Sequence, residues 1–267
     1  MISWYRYRLC LASTSASWAS RGRGGIRGAI ARYRGRDIEL KTHGQLEAMR
    51  VAGALVAATL AAVTEHAKPG VSTAELDALA EQTIRDGNGV PSFLGYHGFP
   101  ASICASVNEQ IVHGIPSPKQ VLAEGDLISV DCGAIVEGWH GDSAVTIAVG
   151  DVSPEDLALS AACRGAMEAG ILAVRDGARL TDVSYAIQEA CRSAALADRA
   201  DYGIVAEYGG HGIGTSMHMD PFLPNHGEPG KGPRLRPGMA LAVEPMLVAG
   251  DPDTLELEDG WTVVTAA

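Results

Sequence analysis

Beyond Lys41 the apolar residues fall into runs of two kinds. An Ala/Leu/Val-rich run extends to about His66 and is stopped by "KPG" at 68–70. Thr42 and Gln45 precede it with capping-box spacing, so the pattern predicts a helix. Ser72 and Glu75 repeat that start signal before a second helix, which ends near "DGNG" at 86–89. The mixed segment "VPSFLGYHGFPASICASVNEQIVHGIP" reads as short strands and loops. "DLISVDCGAIV" and "WHGDSAVTIAVG" are rich in β-branched residues and alternate in polarity, so they read as two strands joined at Glu137-Gly138. Ser153-Pro154 then opens a helix to about Arg175, Gly177 punctuates it, and a further helix covers about 181–195.

The order of elements repeats, and the two halves align locally. "KPGVSTAELDALAEQ" from Lys68 falls in step with "RDGARLTDVSYAIQE" from Arg175, matching a basic residue, a Gly, an acid and an apolar residue. Two similar helix–helix–sheet halves facing each other across a central sheet would offer a cleft for a ligand.

The hairpin raises a chemical question. With Glu137-Gly138 as the turn, residue 136 pairs with 139 and 133 with 142, so Asp131 and Asp142 share a face one diagonal step apart. Diagonal neighbours in a sheet lie about 7–8 Å apart. Two inward-facing acids at that separation repel each other unless a cation intervenes. The plainer alternative is that one acid faces solvent and the other caps a turn.

Three further segments favour the cation. In "GGHGIGTSMHMDP", His211 and His218 stand seven residues apart among glycines that let the backbone approach a ligand closely. In "GMALAVEPMLVAG", Glu244 interrupts an apolar strand, and Pro245 holds it extended. In "EQIVHGIPSP", His113 ends an apolar stretch before a Gly-Ile-Pro turn, as a catalytic residue carried on a loop would. His43, His66, His97, His140 and His226 have no such setting and read as surface or loop histidines. Two aspartates, a glutamate and an imidazole form a hard, oxygen-rich set that suits Mn, Fe(II), Co or Zn.

Charge and composition narrow the setting. Residues 1–36 hold eight arginines and no acid; taken from the net charge of −11, this leaves −19 on the remainder. An acidic body argues against nucleic acid as a partner and suits metal ions or a peptide amino terminus. The five scattered cysteines form neither a CxxC pair nor a disulfide framework, which fits a reducing cytoplasm. No run of 18 apolar residues is present. The first 36 residues show no sustained apolar period and read as a disordered, Arg-rich tail outside the fold.

The segments "YHGFPASICASVNEQIVHGIP", "DCGAIVEGWHGDSAVT", "GGHGIGTSMH" and "PGMALAVEPM" together resemble the type I methionine aminopeptidases, from about Ile38 to the end. The resemblance implies the pita-bread α/β (α+β) fold, with pseudo-twofold halves around a mainly antiparallel central sheet. It makes 37–267 one metallo-aminopeptidase domain. It implies two divalent metal ions (Co, Mn, Fe or Zn) held by Asp131, Asp142, His211 and Glu244. His113 would contact substrate, His218 would steady the tetrahedral intermediate, and Glu244 would help to move a proton. Phe93, Tyr96, Phe99, Cys104, Met217 and Trp261 would line the methionine pocket. Phe93 and Met217 depart from residue types used by some relatives. The implied substrate is the N-terminal Met of nascent polypeptides with a small second residue. The implied setting is a cytoplasmic monomer near the ribosome, with no membrane and no nucleic-acid specificity.

The family also uses a fifth, bridging glutamate in an "EHT"-like motif shortly after the segment here written "DGWTVVT", and this sequence stops at Ala267. The expectation is a chain lacking its last strand or strands, with an exposed sheet edge and weaker binding of at least one ion. A catalytically impaired homologue that binds peptides or protein partners is the alternative reading. A related peptidase cutting before proline is a third.

Overall fold

The computed structural model describes Leu9–Leu11 and residues 38–266. A short strand, β1 (Leu9–Leu11), precedes helices α1 (His43–His66) and α2 (Thr73–Asp86). Strands β2 (Val90–Pro91), β3 (Ile103–Val107), β4 (Gln110–Val112), β5 (Leu127–Val136) and β6 (Trp139–Ala148) follow. Helices α3 (Pro154–Ala173) and α4 (Leu180–Asp198) lead to β7 (Tyr202–Ile204), β8 (Gly209–Gly212), β9 (Met219–Pro224) and β10 (Met239–Leu241). The last strands are β11 (Leu247–Ala249), β12 (Thr254–Glu256) and β13 (Val263–Thr265). The chain is thus a mixture of helix and antiparallel sheet, divided into two compact units. The first comprises 48–161 and 248–266; the second comprises Leu9–Leu11, 38–47 and 162–247.

Both expected helix starts are built as capping boxes. Thr42 N–H donates to Gln45 Oε1 at 2.8 Å, and Gln45 N–H donates to Thr42 Oγ1 at 3.3 Å. Ser72 N–H donates to Glu75 Oε2 at 2.8 Å, and Glu75 N–H donates to Ser72 Oγ at 3.3 Å. Each box satisfies amide groups that a helix start leaves without partners. The Ser72 bonds also hold the Glu75 carboxyl below its ordinary range.

In the first unit, β5 is the hub: it pairs antiparallel with β2, β3 and β6. One face of the β5–β6 hairpin carries Ile128, Val130, Cys132, Val145 and Ile147, all buried. Helix α1 lies against that face at Gly141, where a Cβ would stand 2.4 Å from Ala52 O and 2.8 Å from Val56 Cγ2. Glycine is therefore required there, because its missing side chain lets strand and helix backbones approach. Helix α1 is long and apolar enough to cross a membrane by length and composition alone. Its buried residues Met49, Ala52, Val56, Leu60 and Val63 recur every three or four positions, the spacing of a helix that packs one face on a core.

In the second unit, the strands run β1-β10-β8-β9. Leu180, Val183 and Ile187 of α4 and Ala166 and Met167 of α3 share a buried cluster with Leu223, Met239, Leu241 and Val243. Of the expected tail over 1–36, Leu9–Leu11 pair with β10, Leu9 opposite Leu241 and Leu11 opposite Met239. The rest of that expectation lies outside the described residues.

The local sequence repeat is a structural one. Gly70 N–H donates to Leu122 O and Gly177 N–H to Leu235 O. Thr73 N–H donates to Gln120 O and Leu180 N–H to Pro233 O; Leu122 N–H donates to Val71 O and Leu235 N–H to Ala178 O. The residues starting the two helices form matching antiparallel bridges, Ser72 with Val121 and Arg179 with Arg234. Asp182 then takes the part of Glu75, accepting from Arg179 N–H at 2.7 Å. The partners at the helix starts (70–73 and 177–180) differ by 107 in number and those at 120–122 and 233–235 by 113, so each unit carries one copy of the same helix–strand junction.

Candidate metal centre

The β5–β6 turn places two residues in the left-handed region, Glu137 at φ 49° and Gly138 at φ 81°. That two-residue turn matches strand twist and fixes the register. Val136 stands opposite Trp139, Gly133 opposite Asp142 and Asp131 opposite Ala144. Asp131 and Asp142 therefore lie on one face, diagonally adjacent. Ser129 and Thr146, further along that face, touch hydroxyl to hydroxyl at 2.9 Å. Asp142 is 3% exposed. Cys132 points to the opposite, apolar face. Burial first, and then the charges of Asp131 and Asp142, push its thiol well above the ordinary range. It remains a thiol, so no thiolate stands beside the two carboxylates.

Two of the expected pocket residues of the first unit, Cys104 and Phe93, lie at this face. Cys104 on β3 pairs directly with Asp131. Its strand is held at its start by Asp77 of α2, whose carboxylate accepts from Ser102 N–H at 2.8 Å and Ile103 N–H at 3.0 Å. Phe93 lies over Gly133: a Cβ there would stand 2.7 Å from Phe93 Cε1. Phe99 and Trp261 meet edge to face with ring centroids 5.1 Å apart, and His113 meets Trp261 at 6.4 Å. His113 has φ 59°. The following residue is locked to β3, with Gly114 N–H donating to Ser106 Oγ and Gly114 O accepting from Ala105 N–H. Tyr96 is half-buried on the 3-10 turn at Tyr96–Gly98, and burial raises its hydroxyl pKa.

The second unit carries the other pair. Glycines flank His211 because nothing else fits: a Cβ at Gly210 would stand 2.1 Å from Ala242 O, and one at Gly212 2.2 Å from Asp220 O. His211 Nδ1 lies 2.9 Å from Gly212 O. A carbonyl only accepts, so Nδ1 carries the proton there. This leaves Nε2 facing Glu244 Oε1 at 3.2 Å. Both residues are buried, at 7% and 8% exposure. A neutral imidazole nitrogen and a carboxylate oxygen face each other as two lone-pair donors, an arrangement that a proton or a metal ion between them makes favourable. His218 is exposed, with its ring 4.4 Å from that of His211 and nearly perpendicular. Met217 beside it is buried.

Among the described residues no group of three or more His, Cys, Asp or Glu side chains forms a ready-made cluster. What each unit supplies is a pair, and one member of each is related by the duplication. Carried along the offset of 113 that relates Gly125 to Gly238, Asp131 falls on Glu244.

One histidine differs from its reading as a surface or loop residue. His140 is 8% exposed, and its Nδ1 lies 3.0 Å from Ser92 Oγ. It stands two residues before Asp142, on the same face, and that alternation was its available signal. His226 is half-buried, and burial lowers its pKa below the usual 6.5.

Residues 47–265 match the model of metallopeptidase family M24. The chain is 56% identical over 238 residues to methionine aminopeptidase 1 of Mycobacterium tuberculosis, covering 89% of this chain and 90% of that protein. The chain belongs to metallopeptidase family M24. The Bacillus subtilis methionine aminopeptidase 1 is 47% identical over 228 residues, covering 85% of this chain and 89% of that protein. The crystal structure of the Rickettsia prowazekii methionine aminopeptidase superposes with a TM-score of 0.81 at 42% identity, covering 86% of this chain and 90% of that one. The fold is accordingly the pita-bread fold of M24 proteins. An X-Pro aminopeptidase from Thermotoga maritima, 20% identical with a TM-score of 0.61, shares the fold alone. Membership of M24 makes the chain a metal-dependent hydrolase, and the donor types of each pair, two carboxylates in the first unit and an imidazole with a carboxylate in the second, fit a divalent ion.

Proposed function

We propose that this chain is a methionyl aminopeptidase, which removes the N-terminal methionine of polypeptides, nascent proteins among them, when the second residue is small. Asp131, Asp142, His211 and Glu244 together hold two divalent ions, drawn from Co, Mn, Fe and Zn. The observation that carries the metal reading is the shared face of Asp131 and Asp142, fixed by the hairpin register. The preference for methionine is supported by 56% identity to a methionine aminopeptidase, against 20% for the X-Pro aminopeptidase.

Bound divalent ions supply the Lewis acidity that makes water nucleophilic at neutral pH. The chain's own groups do the rest. The carboxylate of Glu244 receives a proton from the attacking water and passes it towards the departing amine. His218, exposed beside His211, donates an N–H to the oxygen on which negative charge develops. His113, set by its left-handed backbone and the Gly114 bonds, meets the substrate. Phe93, Tyr96, Phe99, Cys104, Met217 and Trp261 receive the thioether side chain. Apolar walls and sulfur suit an unbranched, polarizable group. The enzyme acts as a cytoplasmic monomer on chains close to the ribosome.

The test is turnover with added Mn or Co on a Met-Gly-type peptide and an Xaa-Pro peptide of equal length. Release of free methionine from the first is expected. Absence of turnover would overturn the enzymatic reading, and preferential cleavage before proline would overturn the assigned specificity.

A further inference from the structure

Glu244 and Pro245 lie in irregular backbone between β10 and β11. Main-chain carbonyls that leave a sheet ladder must find donors elsewhere, and here two side chains supply them. Asn225 Nδ2 donates to Glu244 O at 3.0 Å, with a longer contact of 3.5 Å to Tyr208 O. Both acceptors are carbonyl oxygens, which fixes the amide with its nitrogen towards them. Asn225 follows the end of β9 and is 1% exposed, so this donor lies in the packed interior. On the next residue, Cys163 Sγ of α3 donates to Pro245 O at 3.2 Å. Burial, partly offset by a bond from the Leu247 backbone, pushes that thiol up to about 12, so it remains an S–H donor throughout the neutral range.

We infer that Asn225 and Cys163 are positioning residues for Glu244. They fix the two consecutive carbonyls at 244 and 245 and thereby keep the Glu244 carboxylate opposite His211 Nε2. The inference rests on the reading of Glu244 as a metal ligand. Its physical content is preorganisation. A ligand on regular strand is held by the ladder, whereas Glu244 sits off the ladder, and its direction is set by whatever holds its main chain. His211 is fixed from its far side by Gly212 O. Glu244 is fixed from behind by Asn225 and Cys163. Groups that orient a ligand in this way typically change metal affinity or activity 10–100-fold when removed.

The experiment is calorimetric Mn(II) binding to the metal-depleted full chain, with kcat and KM for a Met-Gly-type peptide and a thermal melt for each protein. The variants are Asn225→Ala, Cys163→Ala, Cys163→Ser and Glu244→Gln. Asn225→Ala should weaken Mn(II) binding about tenfold or more and lower kcat while KM stays within about twofold. Cys163→Ala should shift both in the same direction by less, and Cys163→Ser, whose hydroxyl still donates, should restore them. If Asn225→Ala does not fold, the Cys163 pair decides. Folded Asn225→Ala or Cys163→Ala with unchanged Mn(II) affinity and kcat overturns the inference, provided Glu244→Gln loses affinity. If Glu244→Gln binds Mn(II) as tightly as the unmodified chain, the ligand reading fails, and the inference fails with it.

Discussion

His211 Nε2 and Glu244 Oε1 face one another across 3.2 Å in a buried part of the second unit. With Nδ1 of the same ring committed to Gly212 O, the contact is polarised towards whatever cation stands there. Replacing His211 by Ala removes one donor and leaves the Glu244 carboxylate in place. Mn(II) affinity should fall more than about tenfold, since even groups that only orient a ligand change it by that much. Titration of the metal-depleted protein measures this directly.

Asp131 and Asp142 impose a second expectation. Without metal their charges repel across one sheet face, so Asp142→Asn should leave the metal-free protein as stable as the unmodified chain, or more so. With Mn(II) the order reverses, because only the intact site gains the stabilisation that follows ligand binding. A ligand at about 100 times its Kd adds roughly 2.7 kcal/mol. Thermal melts with and without chelator would show a Mn(II)-dependent rise in the unmodified chain and little or none in the variant.

The backbone of the histidine segment leaves no room for a methyl group at 210. Gly210→Ala would bring Cβ to 2.1 Å from Ala242 O, a main-chain atom that cannot rotate away. A loss of about 1–3 kcal/mol in urea-determined stability is expected from such overpacking. Turnover should fall as well, because the strain falls beside His211.

His226 sets the acid side of the stability profile. Burial holds its pKa below the 6.5 of the exposed ring, so the unfolded chain binds its proton more readily than the folded one. Its contribution is complete above pH 6.5 and is lost as pH falls through the lowered folded value. Urea melts of metal-depleted protein at pH 7.5 and 5.5 should show a smaller acid loss for His226→Gln than for the unmodified chain.

Much of this site is legible in the sequence where short-range rules decide. Glu137-Gly138 is a turn of defined geometry, and strict alternation on both sides then fixes Asp131 and Asp142 to one face. The capping boxes at Thr42 and Ser72 depend on residues three apart, and both are found. Long-range contacts carry the remainder. His140 is buried by Ser92, 48 positions earlier, and Asn225 reaches Glu244 over 19 positions. Strand alternation puts His140 on the face of Asp142, but no pattern in the sequence pairs either residue with its distant partner. Helix ends moved by one to three residues: α3 stops at Ala173 rather than Arg175, and α4 runs over Leu180–Asp198 rather than 181–195. In α4, Asp182 bonding Arg179 N–H sets the start. Pattern alone does not register that bond, because Arg is not a capping residue type.

The most direct test of the central claim is an anomalous diffraction experiment on crystals grown with Mn(II). The account predicts metal peaks within direct coordination distance of Asp131, Asp142, His211 and Glu244 together. Peaks ligated by only one of the two pairs, or no peak at these residues in Mn(II)-saturated protein, would contradict it.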